Sequence, residues 1–264
     1  MAFCFSQVRI GEWKALTSPL NIRDILSLDG EWFAATEGGL FQISQDDTRT
    51  YTTVDGLKSV DLSAIAVDHN DHIWIGGSSP NGFVQVYDPD QTESIASFDF
   101  GLTEIFDIQV LDSLAWVFFL DGQDPGIMKF LYNDKWEYRD SFRNYPQDAG
   151  SINCFTATDS SLIIGTDQGI YIGDISDNLK DPNSWMPLNS SLTMEITALA
   201  LKGSTLAFSS ETALYEYSFG SGEWSDIPIS YTLTSVSAIY AGDFLMMRRP
   251  PRSTLFPYTT LFRS

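Results

Sequence analysis

The chain has 264 residues, 43% of them hydrophobic and 14% aromatic, which is ample material for a core and too much for a disordered chain. Its 35 acidic residues against 15 basic ones give a net charge of −20. Such a surface repels a phosphate backbone, which argues against nucleic acid as a partner and leaves cations, neutral sugars and basic protein surfaces open.

Residues 1–7, Met1-Ala2-Phe3-Cys4-Phe5-Ser6-Gln7, have the form of an export-signal remnant: an apolar run closing on small and polar residues, without the basic segment that opens a complete signal. Residues 8–18 follow with Gly11-Glu12-Trp13-Lys14-Ala15-Leu16, which predicts an outer strand. Then a block begins that recurs along the chain: two apolar residues three apart, a turn, an apolar strand, a second turn and a third strand.

The first copy is Ile22-Arg23-Asp24-Ile25, Trp32-Phe33-Ala34-Ala35-Thr36 and Gly39-Leu40-Phe41. The second is Leu62-Ser63-Ala64-Ile65, Ile73-Trp74-Ile75-Gly76-Gly77 and Gly82-Phe83-Val84. The third is Ile105-Phe106-Asp107-Ile108, Ala115-Trp116-Val117-Phe118 and Gly126-Ile127-Met128. The fourth is Ile152-Asn153-Cys154-Phe155, Leu162-Ile163-Ile164-Gly165-Thr166 and Gly169-Ile170-Tyr171. The fifth is Ile196-Thr197-Ala198-Leu199, Leu206-Ala207-Phe208-Ser209-Ser210 and Ala213-Leu214-Tyr215. A sixth opens at Val236-Ser237-Ala238-Ile239 and breaks off near Phe244-Leu245. A fourth strand closes several copies, marked by tryptophan in Trp136-Glu137-Tyr138, Trp185-Met186-Pro187-Leu188 and Trp224-Ser225-Asp226-Ile227.

The leading positions lie 40, 43, 47, 44 and 40 residues apart, the period of one four-stranded propeller blade. Helical repeats of similar length fail on chemistry, because the segments are short, β-branched and aromatic and are bounded by Gly, Asp, Asn and Ser. The expected fold is all-β: a β-propeller with blades near 20–59, 60–102, 103–150, 151–193 and 194–234, a partial sixth at 235–243, and 8–18 as the outer strand that closes the ring. As it stands the ring is incomplete, and open sheet edges are an aggregation liability. Residues 244–264, including Arg248, Arg249, Arg252 and Arg263, reverse the charge abruptly and resemble translated sequencing-adapter DNA, so no function is read from them.

The segments Asp71-His72-Ile73-Trp74-Ile75-Gly76-Gly77 and Ser161-Leu162-Ile163-Ile164-Gly165-Thr166-Asp167-Gln168-Gly169-Ile170-Tyr171 resemble two-component regulator propeller repeats. The third copy departs from that pattern, with Phe118 and Phe119 where Gly-Thr is expected. Similar repeats form sensor ectodomains of hybrid histidine kinases and the N-terminal part of secreted propeller proteins associated with type IX secretion. The opening Trp13 strand and Ala34-Ala35-Thr36-Glu37-Gly38-Gly39-Leu40-Phe41 resemble the latter more closely. The resemblance implies an extracytoplasmic protein of bacterial-type export, in the periplasm or at the cell surface, and supplies no catalytic residue.

The residues themselves offer little chemistry. His69 and His72 share the turn Asp68-His69-Asn70-Asp71-His72, whose spacing is wrong for an EF-hand and which lacks the bidentate Glu. Cys4 and Cys154 make neither a disulfide framework nor a zinc motif. No nucleophile elbow or phosphate-cradling loop occurs, and no apolar run approaches the roughly 20 residues that span a bilayer. The turn between the second and third strands carries acid in four of five blades: Glu37, Asp121 with Asp124, Asp167 and Glu211. Carboxylates converging on one mouth could hold Ca2+ or another divalent cation, or a partner's basic group. No other cofactor is implied. Asp121–Gly126 lengthens the blade-three turn and Phe142–Asp148 the next link, and both should emerge on one face, where Arg143, Asn144 and Tyr145 suit a glycan or peptide. The expected function is a non-enzymatic platform that binds protein or glycan. The alternative is a hydrolase or lyase using carboxylates at the channel mouth.

Overall fold

The structure, a computed structural model, describes residues 17–45 and 47–228. The export-signal remnant, the outer strand at Trp13, the opening of the sixth blade at Val236 and the tail from residue 244 lie outside the described residues. Among them, twenty strands form five four-stranded antiparallel sheets, each in simple sequential order, the blades of a β-propeller. Blade one is β1 (Ile22–Leu28), β2 (Glu31–Thr36), β3 (Gly39–Ile43) and β4 (Thr48–Tyr51). Blade two is β5 (Leu62–Val67), β6 (Ile73–Gly77), β7 (Gly82–Asp88) and β8 (Glu93–Leu102). Blade three is β9 (Glu104–Leu111), β10 (Leu114–Asp121), β11 (Asp124–Asn133) and β12 (Lys135–Phe142). Blade four is β13 (Ile152–Ala157), β14 (Ser161–Thr166), β15 (Gly169–Asp174) and β16 (Trp185–Pro187). Blade five is β17 (Ala198–Lys202), β18 (Thr205–Ser209), β19 (Leu214–Ser218) and β20 (Glu223–Asp226). First strands of successive blades lie side by side, β5 between β1 and β9, and β13 between β9 and β17.

In blades two to four the nearly continuous apolar character of the second strand has a direct cause: successive side chains point to opposite faces, and both faces are covered. In β6, Ile73 and Ile75 join Phe33, Leu40 and Leu62 in the core between blades one and two. Trp74 points the other way, into the core with Val117, Phe119, Phe130 and Trp136 of blade three. In β10 the roles alternate again, with Val117 and Phe119 toward blade two and Trp116 and Phe118 toward blade four. In β14, Leu162 and Ile164 face blade three while Ile163 faces blade five. The core is therefore four inter-blade layers rather than one centre.

Closing tryptophans brace these layers through their polar edge. Trp136 is buried and its Nε1 donates to Asp68 Oδ2 at 2.8 Å, tying blade three to the β5–β6 turn of blade two. Asp68 Oδ1 accepts the backbone N–H groups of Asn70 and His72, so this wholly buried carboxylate is satisfied from both sides. The histidine cluster is thus a hairpin turn used as an inter-blade peg. Trp185 is likewise buried and donates to the Leu179 carbonyl at 3.2 Å.

The glycines of the repeat have a packing reason. A Cβ on Gly76 would stand 2.5 Å from Ile105 Cγ2, and one on Gly165 would stand 2.7 Å from Ile196 Cγ2. In both cases the leading isoleucine of the next blade nests against bare backbone. Blade three solves the same junction differently: Phe118 fills the position, with its ring 6.1 Å from Phe155 and 5.7 Å from Phe106. We expect Gly76→Ala or Gly165→Ala to lower stability by about 1–3 kcal/mol through overpacking. A double-mutant cycle of Gly76→Ala with Ile105→Ala, measured by urea unfolding, should give a loss smaller than the sum. Additive losses would mean that the two residues do not touch.

Candidate functional site

The predicted site lies at the end of the blades where the turns between second and third strands meet the links from one blade to the next. A shared backbone feature shapes it. In blades one to four the pairing of the first two strands slips by a residue near its start, beside Arg23, Ser63, Phe106 and Asn153. A bulge of this kind re-aims one side chain out of the pleat. The four bulge residues do different things. Ser63 Oγ donates to the Ile105 carbonyl of the next blade at 2.5 Å, while Asn153 Nδ2 donates to Asp167 Oδ1 at 3.1 Å.

Arg23 is the residue that sequence reasoning missed. Its guanidinium reaches Glu37 Oε1 at 3.0 Å, Asp61 Oδ1 at 2.7 Å and the Leu62 carbonyl at 3.3 Å. Glu37 also accepts Asn21 Nδ2 at 2.6 Å, and Asp61 accepts the Ser78 hydroxyl at 3.1 Å. The turn carboxylate of blade one is therefore held by a cation that simultaneously clamps blade one to the link into blade two. The available signal was position: Arg23 is the one basic residue at the second place of any complete copy of the repeat.

Asp167 is half-buried and turned back on its own blade, accepting the Ser151 N–H at 2.9 Å as well as Asn153. Asp121 and Asp124 face each other across the tip of a regular hairpin, since β10 and β11 stay paired to their ends. The lengthened segment is thus an extended hairpin closing on Gly122 and Gln123 rather than a loose loop. Glu211 lies exposed in the β18–β19 turn. Among the described residues, no group of three His, Cys, Asp or Glu side chains is arranged to hold a metal ion.

Arg143 joins the two blade-three segments. Its Nη1 lies 2.7 Å from Asp121 Oδ2, and its guanidinium carbon sits 4.8 Å from the centre of the Phe119 ring. Hairpin and link therefore emerge on the same face and stiffen each other. Asn144 is exposed and donates to the Lys180 carbonyl at 3.2 Å. Tyr145 turns inward: its hydroxyl donates to the Phe142 carbonyl at 2.7 Å, and its ring tilts against Trp185 at 5.5 Å. Burial pushes the Tyr145 hydroxyl well above its ordinary range. Of the three residues expected to meet a partner, Arg143 and Asn144 face outward and Tyr145 supports them.

Two shallow clefts, of about 290 and 210 Å3, lie at the opposite end of the blades. One is lined by Asp29, Glu31 and Gln45 of blade one, the other by Glu216, Glu223 and Trp224 of blade five. Cys154 follows the bulge residue Asn153 in β13 and pairs with Gly165. Burial, then the charge of Asp107, push its thiol well up, and its Sγ lies 3.8 Å from the Ile196 carbonyl. No helix among the described residues is long and apolar enough to cross a membrane.

No protein-family model matches the chain, and no curated protein matches it. Solved structures share the fold at low identity. PorZ, an essential bacterial surface component of the type IX secretion system of Porphyromonas gingivalis, is similar with a TM-score of 0.67 and 17% identity, over 85% of this chain and 30% of that one. The extracellular domain of BT3049 from B. thetaiotaomicron is similar with a TM-score of 0.57 and 12% identity, over 82% of this chain and 30% of that one. The AfRom2 CNH domain gives a TM-score of 0.62 at 8% identity, over 89% of this chain and 81% of that one. This chain spans under a third of the length of the first two.

Arg23→Met removes the cation shared by Glu37 and Asp61. The expected loss is about 1–2 kcal/mol, since both carboxylates keep partial access to water, and it should shrink at high salt. Urea unfolding at two ionic strengths checks it. The raised Cys154 thiol should resist iodoacetamide in the native protein and react once unfolded, as peptide mapping of the alkylated residue would show.

Proposed function

We propose that the chain is a non-enzymatic, extracytoplasmic propeller that serves as a binding platform for protein or glycan. The observation that carries this reading is the face formed by the turns. It presents a stiff hairpin, locked by Arg143 to Asp121, beside exposed Asn144 and Asp124. Small-molecule sites are usually concave and enclose most of their ligand, whereas the described clefts are shallow and lie at the other end of the blades. A projecting, ion-paired hairpin suits an extended macromolecular surface. The acidic charge favours partners that are basic or neutral.

The two bacterial neighbours support the cellular setting, because PorZ is a surface component of a secretion system and BT3049 contributes an extracellular domain. Three of the carboxylates expected at the mouth lean on structural partners: Glu37 on Arg23, Asp121 on Arg143 and Asp167 on Asn153. Glu37, Asp121, Asp124 and Glu211 all stay exposed and are the carboxylates open to a divalent cation or a basic group.

The test compares wild type with Asp121→Ala and Arg143→Ala on a panel of bacterial envelope glycans and basic proteins. Binding should weaken about tenfold in either variant, with exchange protection centred on the blade-three hairpin. The same panel is assayed for product release. Turnover that Asp124→Asn or Glu211→Gln abolishes would replace the binding reading with a hydrolase or lyase.

A further inference from the structure

The five outermost strands are not alike. β4 and β20 have four residues each, β16 has three including Pro187, and β12 carries Lys135, Glu137, Arg139 and Asp140. Short length, proline, charge and bulges are devices that keep a sheet edge from pairing with another chain. Between two bulges, β8 lacks the other three through its middle. It runs ten residues, with neither charge nor proline from Ser94 to Phe98, and most of its side chains are exposed. It is the end strand of its sheet, so among the described residues its outer edge has no strand partner. The β7–β8 register slips beside Ile95 and again beside Phe100, and between these points the ladder is regular from Ala96 to Asp99.

Both slips leave a large apolar residue in water. Ile95 is 47% exposed and Phe100 39%. Phe100 lies 5.0 Å from Tyr138 of blade three, which is itself 40% exposed, and Phe98 and Phe130 form a floor beneath them with their rings 5.0 Å apart. An aromatic shelf thus borders the open edge on the side of the next blade. Glu93 and the preceding Asp88 and Asp90 add acid at one end of β8. At the other end, Lys58 and the Gly101 N–H hold the Asp99 carboxyl below its usual range.

We propose that β8 is a docking edge for an extended, basic and apolar segment of a partner protein, which adds a fifth strand to blade two and seats its apolar side chains on the Phe100–Tyr138 shelf. This deepens the binding-platform reading and rests on it, at a surface separate from the turn face. Charge selects the occupant. A second copy of the chain would bring another −20 against the first. A lysine-containing strand gains both the backbone pairing and the acidic surroundings.

The probe is a blocked ten-residue peptide of alternating lysine and valine, titrated onto the full chain by fluorescence anisotropy and hydrogen exchange. Exchange should slow over residues 94–100. Ile95→Lys and Tyr138→Ala should each weaken binding about tenfold with the thermal transition unchanged, as should N-methylation of alternate peptide amides, which keeps the charge but blocks pairing. Equal binding by the N-methylated twin would reduce the effect to charge attraction and overturn the proposal. Equal binding by a glutamate–valine version would overturn the selection for basic segments. Protection at the blade-three hairpin instead of β8 would discard this edge while sparing the turn-face reading. A dimer in sedimentation that Ile95→Lys disperses would overturn the peptide in favour of self-association.

Discussion

The middle strands of this protein are apolar on both faces, and nothing else about the fold can be understood without that constraint. A four-stranded sheet with Trp74 on one side and Ile73 and Ile75 on the other cannot hide both sides by itself. Each blade needs a neighbour on either flank, so stability is distributed over the inter-blade layers, as in other repeat architectures. The nesting of Ile105 on Gly76 and of Ile196 on Gly165 sets how closely successive blades approach. Where the glycine is replaced by Phe118, an aromatic contact with Phe155 occupies the junction instead.

The polar features follow from the same arrangement. Once the blades are stacked, links and turns meet at both ends, and polar groups there find partners across blade boundaries. Arg23 bridges Glu37 of its own blade and Asp61 of the next link, and Trp136 reaches back to the buried Asp68. These bonds fix the relative position of blades more than they build a reactive centre. What remains outward is carried by the locked hairpin of blade three and by the long outer edge of blade two, two surfaces suited to macromolecular contact.

The repeat was legible because a blade's spacing and its apolar pairs are written into every copy. The tryptophans that mark closing strands were legible too: Trp136, Trp185 and Trp224 each stand in the fourth strand of a blade. The candidate site was legible only as a location. Asp121 and Arg143 do share a face, but their ion pair joins residues 22 apart in a hairpin and a link, and neither segment alone indicates it. Tyr145, read as a partner-facing residue, packs its ring on Trp185, a contact between segments far apart in sequence that neither indicates alone.

The sequence by itself determined the architecture, the number of described blades and the apolar lining of each layer, since these depend on patterns repeated at short range. Tertiary structure alone decided which charges meet. Glu37 and Asp167 look equivalent in the repeat, yet one is held by an arginine that clamps the next link and the other by an asparagine of its own blade. It also decided which outer strand is left bare, for exposure of β8 and its shelf depends on how blade three lies beside blade two. Pattern within a strand fixes its faces; only the placement of neighbouring strands fixes what those faces touch.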